Sequence, residues 1–232
     1  MLTLHGISKT YRDVQALRNV IMKIDSNEIV GLIGKNGAGK TTLLEIIAGL
    51  IEPTAGEVFI NGETDDDHEL IGYLEDDPRF YENLTTKEII HYYMLMQNKK
   101  ISPSESDALL ADFNLFEKRD VRIKELSRGM RQLLGFLLTM LRQPKIILLD
   151  EPFTGLDPSN MQMMKKKLRD LKDEGKSMII STHILSFASD ICDRVLFLDR
   201  GKIVYETGKG NVLTEKKLEQ LFHKYVGSKG DS

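Results

Sequence analysis

The sequence predicts an α/β fold: a twisted, mostly parallel sheet flanked by crossover helices, with a block of helices inserted into it. Three patterns carry that expectation. Short apolar runs alternate with helical stretches over residues 1–80 and again over 144–213. One of these runs, Ile29 to Ile33, passes through a glycine-rich segment straight into a helix. The stretch between, 81–143, carries helix-start signals and apolar helical stretches but little strand pattern. A C-terminal helix and tail, 214–232, complete the expected single domain.

Leu2–Tyr11 and Leu17–Ile24 have β character, and Ser26-Asn27 is a turn before the Ile29 strand. The helix from Leu43 to Ala48 is stopped by Gly49. Glu52 to Gly56 reads as a loop, Glu57–Ile60 as a short strand and Asn61-Gly62 as a turn. The acidic run Asp65 to Asp67 reads as a solvated turn and receives no metal. Leu70–Leu74 is the next strand, followed by Glu75-Asp76-Asp77-Pro78. Thr85 with Glu88 forms a capping box that opens a helix to about Gln97. Ser102-Pro103-Ser104-Glu105 opens another, with Pro103 suited to its first position. Tyr92, Tyr93, Met94 and Met96 read as packing residues. After a loop from Arg119 to Glu125 comes Leu126-Ser127-Arg128-Gly129-Met130, then a helix to about Arg142. Ile146–Asp150 is a buried strand, and Asp157-Pro158 caps a helix to about Asp173 whose Met161, Met163 and Met164 pack. Met178–Ser181 is a strand, Ile184–Cys192 a helix, and Val195–Leu198 with Ile203–Tyr205 a hairpin across Arg200-Gly201.

Composition narrows the function. With 32 basic and 35 acidic residues the formal charge is -3, so no basic field advertises nucleic acid. A hydrophobic content of 41% is enough for a substantial core. The single cysteine, Cys192, excludes an internal disulfide and fits a reducing compartment. Met1-Leu2-Thr3-Leu4-His5 carries no signal-peptide pattern. The longest apolar stretch, Leu133 to Leu141, is far shorter than the ~20 residues of a membrane span. The expectation is a cytoplasmic protein that can sit against a membrane.

The chemistry is concentrated in Gly34, Lys35, Asn36, Gly37, Ala38, Gly39, Lys40, Thr41 and Thr42. A strand before it and a helix after it are the context a phosphate-binding loop requires. Glycines let the backbone turn its N–H groups inward at an anion, and the helix N-terminus adds partial positive charge. Lys40 suits the β- and γ-phosphates, and the Thr41 hydroxyl suits Mg²⁺. Asp150 and Glu151 end an apolar strand, where both can face one cleft. Asp150 reads as the acid partner of Thr41 in the Mg²⁺ shell, and Glu151 as the general base for an attacking water. His183, at the end of a later strand, is placed to contact the γ-phosphate or that water. Tyr11 alone reads as a packing aromatic, but upstream of the phosphate loop it is a candidate for stacking on a base.

Taken together, these residues resemble the nucleotide-binding subunit of an ATP-binding cassette transporter over nearly the whole chain. Gly34 to Thr42 looks like its Walker A motif and Ile146 to Glu151 like Walker B. Tyr11 resembles the adenine-stacking aromatic, Gly155-Leu156-Asp157 the D-loop and His183 the switch histidine. Leu126 to Met130 resembles the family signature, usually Leu-Ser-Gly-Gly-Gln, with Arg128 and Met130 at the third and fifth places. The Q-loop, usually Gly-Tyr-X-Pro-Gln, is here Gly72-Tyr73-Leu74-Glu75-Asp76. A carboxylate at Asp76 is a hard ligand that suits Mg²⁺. These departures look most like the simpler multidrug, antibiotic and peptide exporters.

The resemblance implies a P-loop NTPase with a RecA-like core, an antiparallel β edge and an inserted helical subdomain. It implies ATP and Mg²⁺ as cofactors and a head-to-tail dimer, with itself or with a sister subunit. In that dimer Ser127, Arg128, Gly129, Met130 and Asp157 would face nucleotide held by the other subunit's Walker A loop. It also implies a separate transmembrane permease, on whose cytoplasmic face this chain would lie peripherally. Other members of the family act in translation or DNA repair, usually with two cassettes, a long coiled-coil insertion or zinc-binding cysteines. A nucleotide-gated module with little hydrolysis is a third reading, against which Glu151 argues.

Overall fold

The computed structural model describes residues 1–62, 70–208, 210 and 213–226. The acidic run Asp65 to Asp67 and the tail beyond Val226 lie outside the described residues. Two sheets share the work. Strands β1 (Leu2–Tyr11), β2 (Val14–Ile24) and β4 (Ala55–Ile60) form an antiparallel sheet in the order β2-β1-β4. Strands β3 (Ile29–Ile33), β5 (Ile71–Leu74), β6 (Ile146–Asp150), β7 (Ser177–Thr182), β8 (Arg194–Asp199) and β9 (Lys202–Glu206) form the second, in the order β5-β6-β7-β3-β8-β9. All its pairings are parallel except the β8–β9 hairpin at the edge.

The parallel strands are buried on both faces, which is why they read as unbroken apolar runs rather than alternating ones. Helix α1 (Lys40–Ile47) fills the space between the two sheets. Its Leu43 and Leu44 join Leu4, Leu17, Val30, Leu32 and Leu148 in one apolar cluster. The opposite face carries α2 (Thr86–Met96), α3 (Pro103–Asp112), α4 (Arg128–Met140), α5 (Pro158–Asp173), α6 (Leu185–Ile191) and α7 (Glu215–Tyr225). There Ile33, Ile147, Leu149, Ile180 and Phe197 pack with Ile89, Leu110 and Leu133 of the inserted helices. The predicted capping box forms at Thr85 with Glu88, and the helix start expected at Ser102 is closed by a second one with Glu105.

Several boundaries differ from the sequence reading. β2 begins at Val14 and β4 at Ala55, because pairing with β1 recruits residues with no alternating pattern of their own. Met96 is 69% exposed and does not pack as the sequence suggested, since α2 turns that side to solvent. Met164 is fully buried, as expected, and burial pushes the Cys192 thiol far up, which makes it a packing residue.

One polar cluster ties the two sheets. Arg194 holds Glu28 with both arms, at 2.9 and 3.1 Å, donates to the Lys23 carbonyl at 2.6 Å and also bonds Glu206. Arg194 and Glu28 are both buried. Replacing Arg194 by Met leaves the Glu28 carboxylate without that compensation, at an expected cost of about 3–5 kcal/mol. Equilibrium urea unfolding measures this, and an unchanged midpoint would show that the cluster adds no stability.

Candidate functional site

Because β3, β5, β6 and β7 are parallel, the segments that follow them emerge at one edge of the sheet. Those segments carry the glycine loop, Asp76, the Asp150-Glu151 pair and His183. β3 and β6 are not neighbours; β7 lies between them. Register sets Ser181 of β7 opposite Asp150 on one side and Leu32 on the other. The groups from β3 and β6 therefore meet across Ser181.

The glycine loop ends in α1, which begins at Lys40, three residues earlier than the apolar pattern indicated. Lys40 and Thr41 thus sit on the first helical turn, at its partially positive end. Gly39 has φ 108°, and a Cβ there would lie 2.7 Å from the Ala16 carbonyl oxygen of β2. Only glycine fits so close an approach. Lys40 is 7% exposed. Its ammonium donates to the Gly34 carbonyl at 2.8 Å and reaches the Lys35 carbonyl at 3.5 Å. Lys35 through Thr42 line a cavity of about 320 Å³ together with Ala16, Asp76, Asp150 and Glu151.

Thr41 Oγ1 donates to Asp150 Oδ2 at 2.6 Å, and Ser181 Oγ donates to the other carboxylate oxygen. Glu151 follows with φ 46°, a left-handed conformation rare for a side chain this large. Its N–H bonds Ser181 Oγ at 3.0 Å. That turn brings consecutive acids to the same cavity, where a continuing strand would point them apart. Glu151 Oε2 meets His183 Nδ1 at 2.8 Å. Its Oε1 is buried, lies 3.4 Å from Lys40 Nζ and has no hydrogen-bond partner among the described residues. His183 is 61% exposed in its side chain.

Ser181, to which sequence reasoning assigned no role, orients Asp150 and holds Glu151 in its turn. A lone hydroxyl at the end of the apolar run Met178-Ile179-Ile180 was the available signal. Ala16, whose carbonyl walls the loop, had none, since a backbone contact leaves no mark on residue type.

The signature segment stands apart from this cavity. Ser127 caps α4, accepting from the Met130 N–H at 3.2 Å. A Cβ on Gly129 would lie 2.3 Å from the Gly155 carbonyl oxygen, so α4 and the 155–157 turn touch backbone to backbone. Asp157 caps α5, accepting from the Asn160 N–H at 2.9 Å. That bond holds its carboxyl below the usual range. Arg128 is half exposed and pairs with Asp76 Oδ1 at 2.9 Å. Tyr11 is 44% exposed at the end of β1 with Lys9 Nζ 5.1 Å above its ring, outside the phosphate cavity.

The donor set fits Mg²⁺. Thr41, Asp150 and Asp76 offer only oxygen, and the neighbourhood is acidic. Burial first, then Asp150 and Glu75, raise the Glu45 carboxyl. Among the described residues no three His, Cys, Asp or Glu side chains could hold a metal ion together. Mg²⁺ needs no such cage, because it is held by one or two carboxylates plus phosphate oxygens. The buried, unbonded Glu151 oxygen beside the cavity is likewise an acceptor awaiting a donor.

Comparison with known proteins agrees with this geometry. The family model described as "ABC transporter" matches residues 17–154. An uncharacterized ABC transporter ATP-binding protein of Bacillus subtilis, YxlF, is 36% identical over 95% of this chain and 74% of its own length. The lantibiotic transport ATP-binding protein SrtF of Streptococcus pyogenes is 34% identical over 97% of each chain. A dimeric ATP-binding cassette solved in a post-hydrolysis state with ADP and Pi superposes with a TM-score of 0.79 at 28% identity, over 89% of this chain and 98% of the other. The chain therefore belongs to the ABC transporter family as an ATP-binding, ATP-hydrolysing subunit.

Proposed function

We propose that this chain hydrolyses MgATP in a head-to-tail dimer of cassettes and thereby powers export through a separate transmembrane permease. The observation that carries the reading is the convergence of Lys40, Thr41, Asp150 and Glu151 on one cavity of about 320 Å³ that Ser127, Gly129 and Asp157 do not line. Half of the signature-bearing machinery therefore needs a second copy, or a sister subunit, to meet nucleotide.

In this reading Lys40 and the loop N–H groups from Gly34 to Thr42 bind the phosphates, and Tyr11 stacks on adenine. Thr41, Asp150 and Asp76 would hold Mg²⁺, which would neutralise phosphate charge during the transfer. Glu151 accepts a proton from the water that attacks the γ-phosphorus, and ADP leaves. His183, bonded to Glu151, orients that carboxylate. Ser127, with the Gly129 N–H at the start of α4, contacts the γ-phosphate across the dimer, flanked by Met130 and Asp157. Residues 81–143 form the helical subdomain within the core of 1–80 and 144–213.

Among the described residues no helix is long and apolar enough to cross a membrane. We place this chain peripherally on the cytoplasmic face of the membrane, with a segment of the permease docking in a groove of about 410 Å³ lined by Tyr73, Glu75, Arg79, Phe80, Tyr93 and Arg142. Glu75 lines that groove and Asp76 the phosphate cavity, so partner contact and nucleotide meet at consecutive residues. Likeness to the lipopolysaccharide export system ATP-binding protein LptB of Haemophilus influenzae, 31% identical over 96% of each chain, supports export.

Complementation tests the composite site. Ser127→Arg is expected to bind ATP as a monomer but not to turn it over, and Lys40→Ala to do neither well. Mixed, the two chains form dimers in which one site pairs an intact Lys40 with an intact Ser127. The mixture should regain turnover that neither parent shows. A mixture as inactive as its parents would sink the shared site.

A further inference from the structure

Two of the departures from the family pattern, Asp76 and Arg128, are in contact, although they are 52 residues apart. Their ion pair spans the second sheet's edge and the first residue of α4. We propose that Arg128 is a positioning residue that sets this chain's Mg²⁺ requirement: it holds the Asp76 carboxylate until Asp76 exchanges the guanidinium for the metal of MgATP. The proposal rests on the assignment of Asp76 to the metal site above.

Four observations support it. First, Asp76 lines the phosphate cavity beside Thr41 and Asp150, so its carboxylate can turn to a cation there without backbone travel. Second, the pair is single-pronged, Nη2 to Oδ1, where a guanidinium and a carboxylate can make two bonds. Its side chains are 49% and 47% exposed, and pairs so exposed are weak and readily exchanged. Third, the backbone around Asp76 is fixed independently of the pair. Gln132 Nε2 donates to the Glu75 carbonyl and Thr139 Oγ1 to that of Tyr73, each at 3.4 Å. Gly135 packs so tightly on Leu74 and Pro78 that a Cβ would lie 2.7 Å from a Leu74 methyl. Breaking the pair therefore needs side-chain rotation alone. Fourth, the surroundings favour a divalent ion over one guanidinium. Burial pushes the Tyr73 phenol up, and Asp150, Glu45, Glu75 and Asp76 add to the rise, so four carboxylates act on one spot. A group that must be displaced raises the metal concentration needed, and its removal lowers it.

The test is binding of a fluorescent, non-hydrolysable ATP analogue titrated with Mg²⁺. Arg128→Met is expected to lower the half-saturating Mg²⁺ by about two- to five-fold, the range of an exposed ion pair. Arg128→Lys, which keeps the charge, should stay closer to wild type. Asp76→Asn should raise the requirement, and adding Arg128→Met to it should change nothing further, because the two act through one contact. Melting curves and binding at saturating Mg²⁺ confirm that each variant is folded. An Arg128→Met requirement at or above wild type overturns the exchange. So does an equal drop in the Asp76→Asn background, which would mark a general charge effect. If Asp76→Asn alone leaves the requirement unmoved, the metal assignment of Asp76 falls and takes the exchange with it.

Discussion

Replacing Glu151 by Gln is expected to cut ATP turnover by about 10²–10⁴-fold, the usual worth of a positioned general base. Gln keeps the size of the side chain and can still bond His183, which now lies 2.8 Å from Oε2. What it removes is the negative oxygen, buried and unbonded, beside Lys40 and the phosphate cavity. ATP should therefore bind as well or better, since a charge facing the γ-phosphate is gone. A dimer closed around uncleaved ATP should persist. Gel filtration with ATP should show a shift from monomer to dimer in the variant and little or none in wild type. Turnover within a few-fold of wild type would reduce Glu151 to a structural acid at a strand end and move the search to His183.

Lys40→Ala should abolish turnover and weaken ATP binding by about one to two orders of magnitude. The estimate follows from charge-assisted hydrogen bonds worth roughly 1.5–3 kcal/mol. The ammonium is already held over the loop by the Gly34 carbonyl at 2.8 Å, so little ordering remains to be paid when phosphate arrives. Removing it also leaves Glu151 without its nearby cation at 3.4 Å. Titration with a fluorescent nucleotide separates the two effects, because a chain that has merely lost its fold shows no residual binding and an altered melting curve. Near-normal ATPase activity in this variant would remove the phosphate-loop assignment.

The parallel core and the phosphate loop were legible in the sequence for a common reason. Strands buried on both faces must be apolar throughout, and a loop that wraps phosphate must spend glycines, so Ile29–Ile33 and Gly34–Thr42 declare themselves locally. The capping box at Thr85 and the helix start at Ser102 are likewise local chemistry and formed where the spacing put them. Other features were settled by packing between segments remote in sequence. β2 and β4 reach beyond their apolar patterns because β1 offers unpaired backbone groups, which any residue can satisfy. Glu151 joins Asp150 in the cavity only through a left-handed turn held by Ser181 of a neighbouring strand, a contact that strand order decides. The pairing of Asp76 with Arg128 was invisible for the same reason. The sequence marked each as a departure at its own site, but only the packing of α4 along the 73–78 segment brings the two charges within 2.9 Å. A single sequence records the chemistry of each position; which charges become neighbours depends on how the elements pack.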